Sequence, residues 1–186
     1  MTNTNSFPHS PSERRVTLAR GAWQDDTRNR TIPYKLYMPE GVDTLPLIIW
    51  SHGLGGTRDG AGFLARFIAA QGYAHLHIQH DGTDDSLWRD QPDLHPWDAV
   101  RQAMPLSWEV VKNRYLDIPF LVETLQSSKA FDADIMARLD LSRMGLCGHS
   151  FGALSTQVAA GQWVGVSDAE KEQIICDAFQ CGILYS

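Results

Sequence analysis

Mixed apolar and polar positions over residues 16–22 and 31–37, set either side of the polar stretch 24–30, predict two short strands joined by a turn into an antiparallel edge. The pattern then changes. Pro46, Leu47, Ile48, Ile49 and Trp50 form an unbroken apolar run, the signature of a strand buried on both faces of a parallel sheet. A glycine-rich turn follows, Ser51-His52-Gly53-Leu54-Gly55-Gly56. Phe63, Leu64, Phe67 and Ile68 recur at helical spacing and predict a helix closed by Gly72. Residues 73–79 read as a further strand, and 81–85, with Asp84 and Asp85, as a solvated loop.

Residues 86–113 set Trp88, Trp97 and Trp108 among prolines and charges, which predicts an irregular excursion with one helix near residues 97–104. Asp117 then reads as the cap of a helix with Pro119 in its first turn and Ile118, Leu121, Val122 and Leu125 as its buried stripe. Polar residues 126–140 lead to an apolar strand around Met144, Leu146 and Cys147. Ala153, Leu154, Val158 and Ala159 fit one face of the helix after it. Ser167 and Glu170 form a capping box, and residues 181–186 predict one more buried strand. Strands alternating with helices imply a mostly parallel sheet with right-handed crossovers, helices on both faces and an antiparallel N-terminal edge.

The 186 residues suit one domain, expected over 16–186 behind a disordered polar tail over 1–15 that lacks the apolar core of a signal peptide. A net charge of −6 without a Lys/Arg cluster argues against a nucleic-acid surface, and no apolar run approaches a membrane span. Cys147, Cys176 and Cys181 are odd in number and spaced for neither zinc nor a disulfide framework, which points to a reducing, cytoplasmic setting.

Two turns carry candidate chemistry. Gly148-His149-Ser150-Phe151-Gly152 is a Gly-x-Ser-x-Gly pentapeptide between a predicted strand and a predicted helix, the setting of a nucleophile elbow. Side chains at Gly148 and Gly152 would collide in so tight a turn. A serine attacking an ester needs donors for the developing oxyanion. The N–H of Phe151 and that of Leu54, beside Gly53 in the earlier turn, are the candidates. Both turns fall at the carboxyl ends of strands, where active sites of such sheets lie.

These pieces resemble the α/β-hydrolases, and within them the platelet-activating-factor acetylhydrolase and predicted dienelactone-hydrolase group. The similarity is carried by residues 51–56, 71–81, 114–125 and 148–152. It implies an α/β-hydrolase fold, Ser150 as nucleophile, Leu54 and Phe151 as oxyanion-hole donors, no cofactor, and a small ester of short or medium acyl length as substrate. Serine in place of the cysteine of true dienelactone hydrolases points to esterase or lipase-like work. In this fold the acid and then the histidine follow the serine. No histidine follows Ser150 here, and Asp168, Glu170, Glu172 and Asp177 precede the last predicted strand. The expectation is therefore an incomplete fold that stops before its acid and base, nearly inactive alone and able to self-associate through an exposed sheet edge.

Other readings compete. His149 adjoins the serine but should point away from its hydroxyl, and His52 suits a turn-organising role. His75, His77 and His80 approach the ligand run of metallo-β-lactamase-like hydrolases, with Gln79 where that run has aspartate; the alternative is plain strand packing. The three tryptophans could line an acyl pocket, form a lid or fill a core. A non-catalytic, ligand-binding relative of the hydrolases is the remaining alternative.

Overall fold

The computed structural model describes residues 14–127, 129–165 and 167–186, so most of the expected N-terminal tail lies outside the described residues. Its strands are β1 (Val16–Asp25), β2 (Arg30–Pro39), β3 (Leu45–Ser51), β4 (Ala74–Ile78), β5 (Leu139–His149) and β6 (Phe179–Tyr185). They form one sheet in the order β1-β2-β4-β3-β5-β6. β1 pairs with β2 and β2 with β4 antiparallel, while β4, β3, β5 and β6 run parallel. The antiparallel N-terminal edge and the parallel centre agree with the expected fold.

Register divides the sheet into two faces. Leu47, Ile49, Leu76 and Leu146 pack with α4 (Trp108–Gln126) in the main core, through Ile118, Leu121, Val122 and Leu125. α6 (Phe151–Ala159) and α7 (Asp168–Ile174) pack beside α4, where Val158, Ile174 and Tyr115 meet. On the opposite face α1 (Gly62–Ala70) covers Tyr37 with Ala65 and Ala69. The alanines form its buried stripe because only small residues let the helix approach that closely. Phe63 and Phe67, which mark the helix in the sequence, point outward. Leu154 also departs from its predicted face and is partly exposed, while Ala153, Val158 and Ala159 are buried.

Several boundaries differ from expectation. The 86–113 region holds two short helices, α2 (Ser86–Arg89) and α3 (Pro96–Gln102), before α4 begins at Trp108 under a Ser107 cap. Asp117 is thus not a cap: it lies mid-helix and is fully buried, and Pro119 follows inside the same helix. An interior proline costs about 3 kcal/mol, and the four-residue apolar stripe around it offsets that by burial. Residues 126–140 are not only a polar connection, since α5 (Ala133–Arg138) occupies part of them. The capping box at Ser167 and Glu170 is present, each reaching the other's backbone N–H.

The final strand splits two expectations. β6 is the outer strand of the sheet, the exposed edge expected at residues 181–185, but the burial also expected of residues 181–186 is absent, since Ile183, Leu184 and Tyr185 are exposed. A long apolar edge with free backbone groups templates pairing with another strand. Sedimentation velocity over a concentration series is expected to show reversible association, and Ile183→Lys to suppress it. A monomer at every concentration would count against edge pairing.

Candidate active site

β5 ends at His149 and α6 starts at Phe151, so Ser150 alone turns the chain, at φ 53° and ψ −114°. A non-glycine residue held there stores about 1–3 kcal/mol of strain. The surroundings enforce it. A Cβ on Gly152 would lie 1.9 Å from the Ser51 carbonyl oxygen, and one on Gly148 2.2 Å from the Gly152 carbonyl. The Ser150 N–H donates to the Tyr185 carbonyl at 2.8 Å, and its side chain is exposed.

The turn after β3 lies directly against this serine: a Cβ on Gly53 would sit 3.4 Å from Ser150 Cβ. The Phe151 N–H opens α6 and so has no intrahelical acceptor. No backbone acceptor among the described residues takes the Leu54 N–H. Both turns border a cavity of about 790 Å³ walled by Trp50, Leu64, Trp88, Trp97, Val100 and Tyr185. Trp88 also donates from Nε1 to the Gly55 carbonyl at 2.7 Å, pinning the turn it shields. Trp108 is elsewhere, edge-on to Tyr115 at 6.3 Å. The cavity can therefore bring an apolar ligand to an exposed hydroxyl with two backbone N–H groups nearby.

Beneath it lies a network that the sequence reading missed. His80 meets the Ser51 hydroxyl through Nε2 at 2.9 Å and Asp117 through Nδ1 at 2.9 Å. Asp117 also accepts from Arg30 and pairs with Arg28. Burial raises the carboxyl's pKa, but the His80 hydrogen bond and the arginine charge outweigh it and hold it below its usual range. His80 is pushed down to about 4 by burial and by nearby Arg114, so the His80–Asp117 contact joins a neutral imidazole to a carboxylate. Nδ1–H then donates to Asp117, and Nε2 accepts from Ser51. The connectivity is that of a Ser-His-Asp triad, but all three side chains have no exposed surface. No substrate reaches Ser51. Asp84 belongs to this buried side too, accepting from Gln79 and Ser86 rather than lying in a solvated loop, while Asp85 pairs with Arg89.

The other histidines are placed as follows. His52 Nε2 accepts from the His80 N–H at 3.0 Å and its Nδ1 donates to the Gly53 carbonyl at 2.6 Å, so both ring nitrogens hold the turn. Burial and Arg114 keep it well below its ordinary pKa, hence neutral. His149 borders the cavity with its Nδ1 beside Gly53, and it makes no hydrogen bond to Ser150 among the described residues. His75 and His77 share the α1 face with ring centroids 4.9 Å apart, but His80 is committed to Ser51 and Asp117. Among the described residues no three His, Cys, Asp or Glu side chains gather to hold a metal. No helix there is long and apolar enough to cross a membrane. Cys147 is buried, its thiol pushed up to about 12 by that burial.

No protein-family model matches the sequence, and no curated protein is similar to it in sequence. Solved structures are similar in fold. An inhibited esterase B from Lactobacillus rhamnosis superposes with a TM-score of 0.56 at 17% identity, over 92% of this chain and 50% of that one. Brefeldin A esterase, a bacterial homologue of human hormone-sensitive lipase, gives 0.55 at 16%, over 95% and 41%. A ferulic acid esterase from Streptomyces cinnamoneus gives 0.53 at 19%, over 81% and 56%. The chain therefore has an α/β-hydrolase fold and spans about half the length of these structures.

Buried neutral histidines make stability depend on pH. Burial lowers His75 to about 3 and His77 and His80 to about 4, below the ordinary 6.5, so the unfolded chain takes up protons first. Their contribution is complete above that ordinary value and is lost as pH falls toward the folded values. Thermal melts should show the midpoint dropping steeply over that window. Neither ring nitrogen of His75 finds a protein partner, and an unpaired buried polar group costs about 1–3 kcal/mol. His75→Leu is expected to raise the midpoint at neutral pH and flatten the acid loss; a lower midpoint would contradict this.

Proposed function

We propose that the chain is the nucleophile-bearing part of a serine carboxylic-ester hydrolase, with Ser150 as nucleophile and the N–H groups of Leu54 and Phe151 as the oxyanion hole. One observation carries the reading. Ser150 stands exposed at a strained positive φ between a strand and a helix, at the mouth of an apolar cavity and against a second turn whose Leu54 N–H has no backbone acceptor among the described residues. That arrangement is a nucleophile elbow, and the esterase structures with the same fold support the reaction class. The narrower likeness to platelet-activating-factor acetylhydrolases is part of this proposal and rests on the two motifs.

In the reaction, Ser150 Oγ attacks the ester carbonyl and gives up its proton, and the carbonyl oxygen becomes an anion held by two N–H donors. Collapse expels the alcohol and leaves an acyl-serine, which water then cleaves. No metal or organic cofactor enters these steps. The aromatic walls suit an apolar acyl or alcohol group of short to medium length. The general base is the part this arrangement does not provide. His52 has both nitrogens bonded, His80 is buried, and His149 makes no bond to Ser150. Catalysis then falls back on the oxyanion hole and binding, which by themselves give about 10³–10⁴ over water.

Imidazole in solution tests this directly. Hydrolysis of a p-nitrophenyl ester and fluorophosphonate labelling are both expected to be slow, to rise with imidazole concentration, and to vanish in Ser150→Ala. Imidazole-stimulated hydrolysis that survives Ser150→Ala, measured above the free-imidazole rate, would sink the assignment. Absence of labelling at any imidazole concentration would leave the cavity as a binding site only.

A further inference from the structure

Arg114 has no exposed surface, yet among the described residues no carboxylate comes within ion-pair distance of it. A guanidinium buried without an anion must satisfy its donors with neutral acceptors, and their location says what it does. Nε donates to Ser155 Oγ at 2.9 Å, and that hydroxyl donates to the Phe151 carbonyl at 3.0 Å. One terminal nitrogen donates to Thr83 Oγ1 at 2.7 Å; the Thr83 carbonyl in turn accepts from the Gly55 N–H at 2.9 Å. The other donates to Ser51 Oγ at 3.0 Å and to the His52 carbonyl. The guanidinium carbon lies 4.5 Å from the centroid of the Phe151 ring.

These contacts fall at the end of β3 and the start of the turn after it (Ser51, His52), in the loop after β4 (Thr83) and on the N-terminal half of α6 (Phe151, Ser155). The first and last of these segments carry Leu54 and Phe151, and the Thr83 carbonyl reaches the turn after β3 through the Gly55 N–H. We propose that Arg114 is a positioning residue that sets the spacing between the Leu54 and Phe151 N–H groups, by bridging the turn after β3 and the loop after β4 to the N-terminal half of α6. The inference rests on the reading of Ser150 as nucleophile.

The chemistry of the side chain suits the task. Its donors form a rigid planar fork, so bonds made at once to Ser155, Thr83 and His52 fix the distances between them; a lysine ammonium on a flexible stem cannot do the same. Burial lowers its pKa to about 9, which still leaves it a cation at neutral pH. A second strut reaches the same turn. Asp117, three residues along α4, fixes His80; the His80 N–H holds the His52 ring, which holds the Gly53 carbonyl. The triad-like Ser51–His80–Asp117 set thus acts as scaffolding for the turn, not as a second reaction centre.

The test uses the 186-residue protein with Arg114→Lys, Thr83→Val and Ser155→Ala; the last two leave the buried charge intact if Arg114→Lys fails to fold. Amide exchange is read by NMR at Gly55, whose N–H bonds the Thr83 carbonyl, and at Leu154, whose N–H bonds the Ser150 carbonyl, with Ile49 and Leu146 as core controls. Exchange at these two reporters, one in each bridged segment, is expected to rise about tenfold, a loss of local rather than global stability, with the controls unchanged. In imidazole, fluorophosphonate labelling of Ser150 should slow about tenfold or more, with the half-saturating probe concentration unchanged. A lower melting midpoint with wild-type exchange and labelling per folded molecule would overturn the proposal and make Arg114 a fold-stabilising residue only. Failure of the nucleophile reading is seen separately, in Ser150→Ala, and the exchange experiment decides the role of Arg114 either way.

Discussion

A cation with no exposed surface and no anion beside it is tolerated only where neutral acceptors surround it, because leaving a buried charge unsatisfied costs more than a small domain can carry. Arg114 meets that condition at a single place, where the ends of β3, β4 and β5 converge, by taking acceptors from Ser51, His52, Thr83 and Ser155. The site depends on this convergence. Parallel strands bring their carboxyl ends to one edge of the sheet, and α4 carries the guanidinium underneath. The strained Ser150 turn then packs on a base whose hydrogen bonds are complete. Strain at Ser150 persists because Gly148 and Gly152 leave no room for any other path.

Two serines divide the attributes of a reactive hydroxyl. Ser51 has the histidine and the carboxylate but no access, whereas Ser150 has access, a cavity and nearby N–H donors but, among the described residues, no basic partner. Distances alone would select Ser51. Burial is what turns the proposal to Ser150, since a nucleophile must touch its substrate and the hydroxyl of Ser51 is already engaged by Arg114 and His80. His80 is also kept neutral by the same burial, so its role is geometric: it orients the His52 ring that holds the Gly53 carbonyl.

Much of the fold was legible in the residues. The apolar run at Pro46–Trp50, the polar turn between β1 and β2, and the glycine spacing around Ser150 each state a local rule that the structure keeps. Errors arose where a side chain had two lawful uses. Asp117 followed by Pro119 reads as a helix start, and nothing local says that the helix began nine residues earlier; only burial of the carboxylate against His80 and Arg30 makes it an interior residue. Phe63 and Phe67 mark a helix correctly but not its buried face, which packs on Tyr37 through Ala65 and Ala69 while both phenylalanines are exposed. β6 has the apolar content of a buried strand yet its side chains are exposed at the sheet edge, since a strand's neighbours are not written in its own sequence.

Local chemistry, then, determined the elements and the two turns: periodicity sets helix or strand, and glycine at Gly148, Gly152 and Gly53 is required wherever backbone meets backbone. Tertiary structure alone decided which polar side chains meet. Arg114 and Ser155, or His80 and Asp117, are dozens of residues apart and carry no mutual signal, because a buried hydrogen bond depends on the three-dimensional convergence of strand ends and not on spacing along the chain.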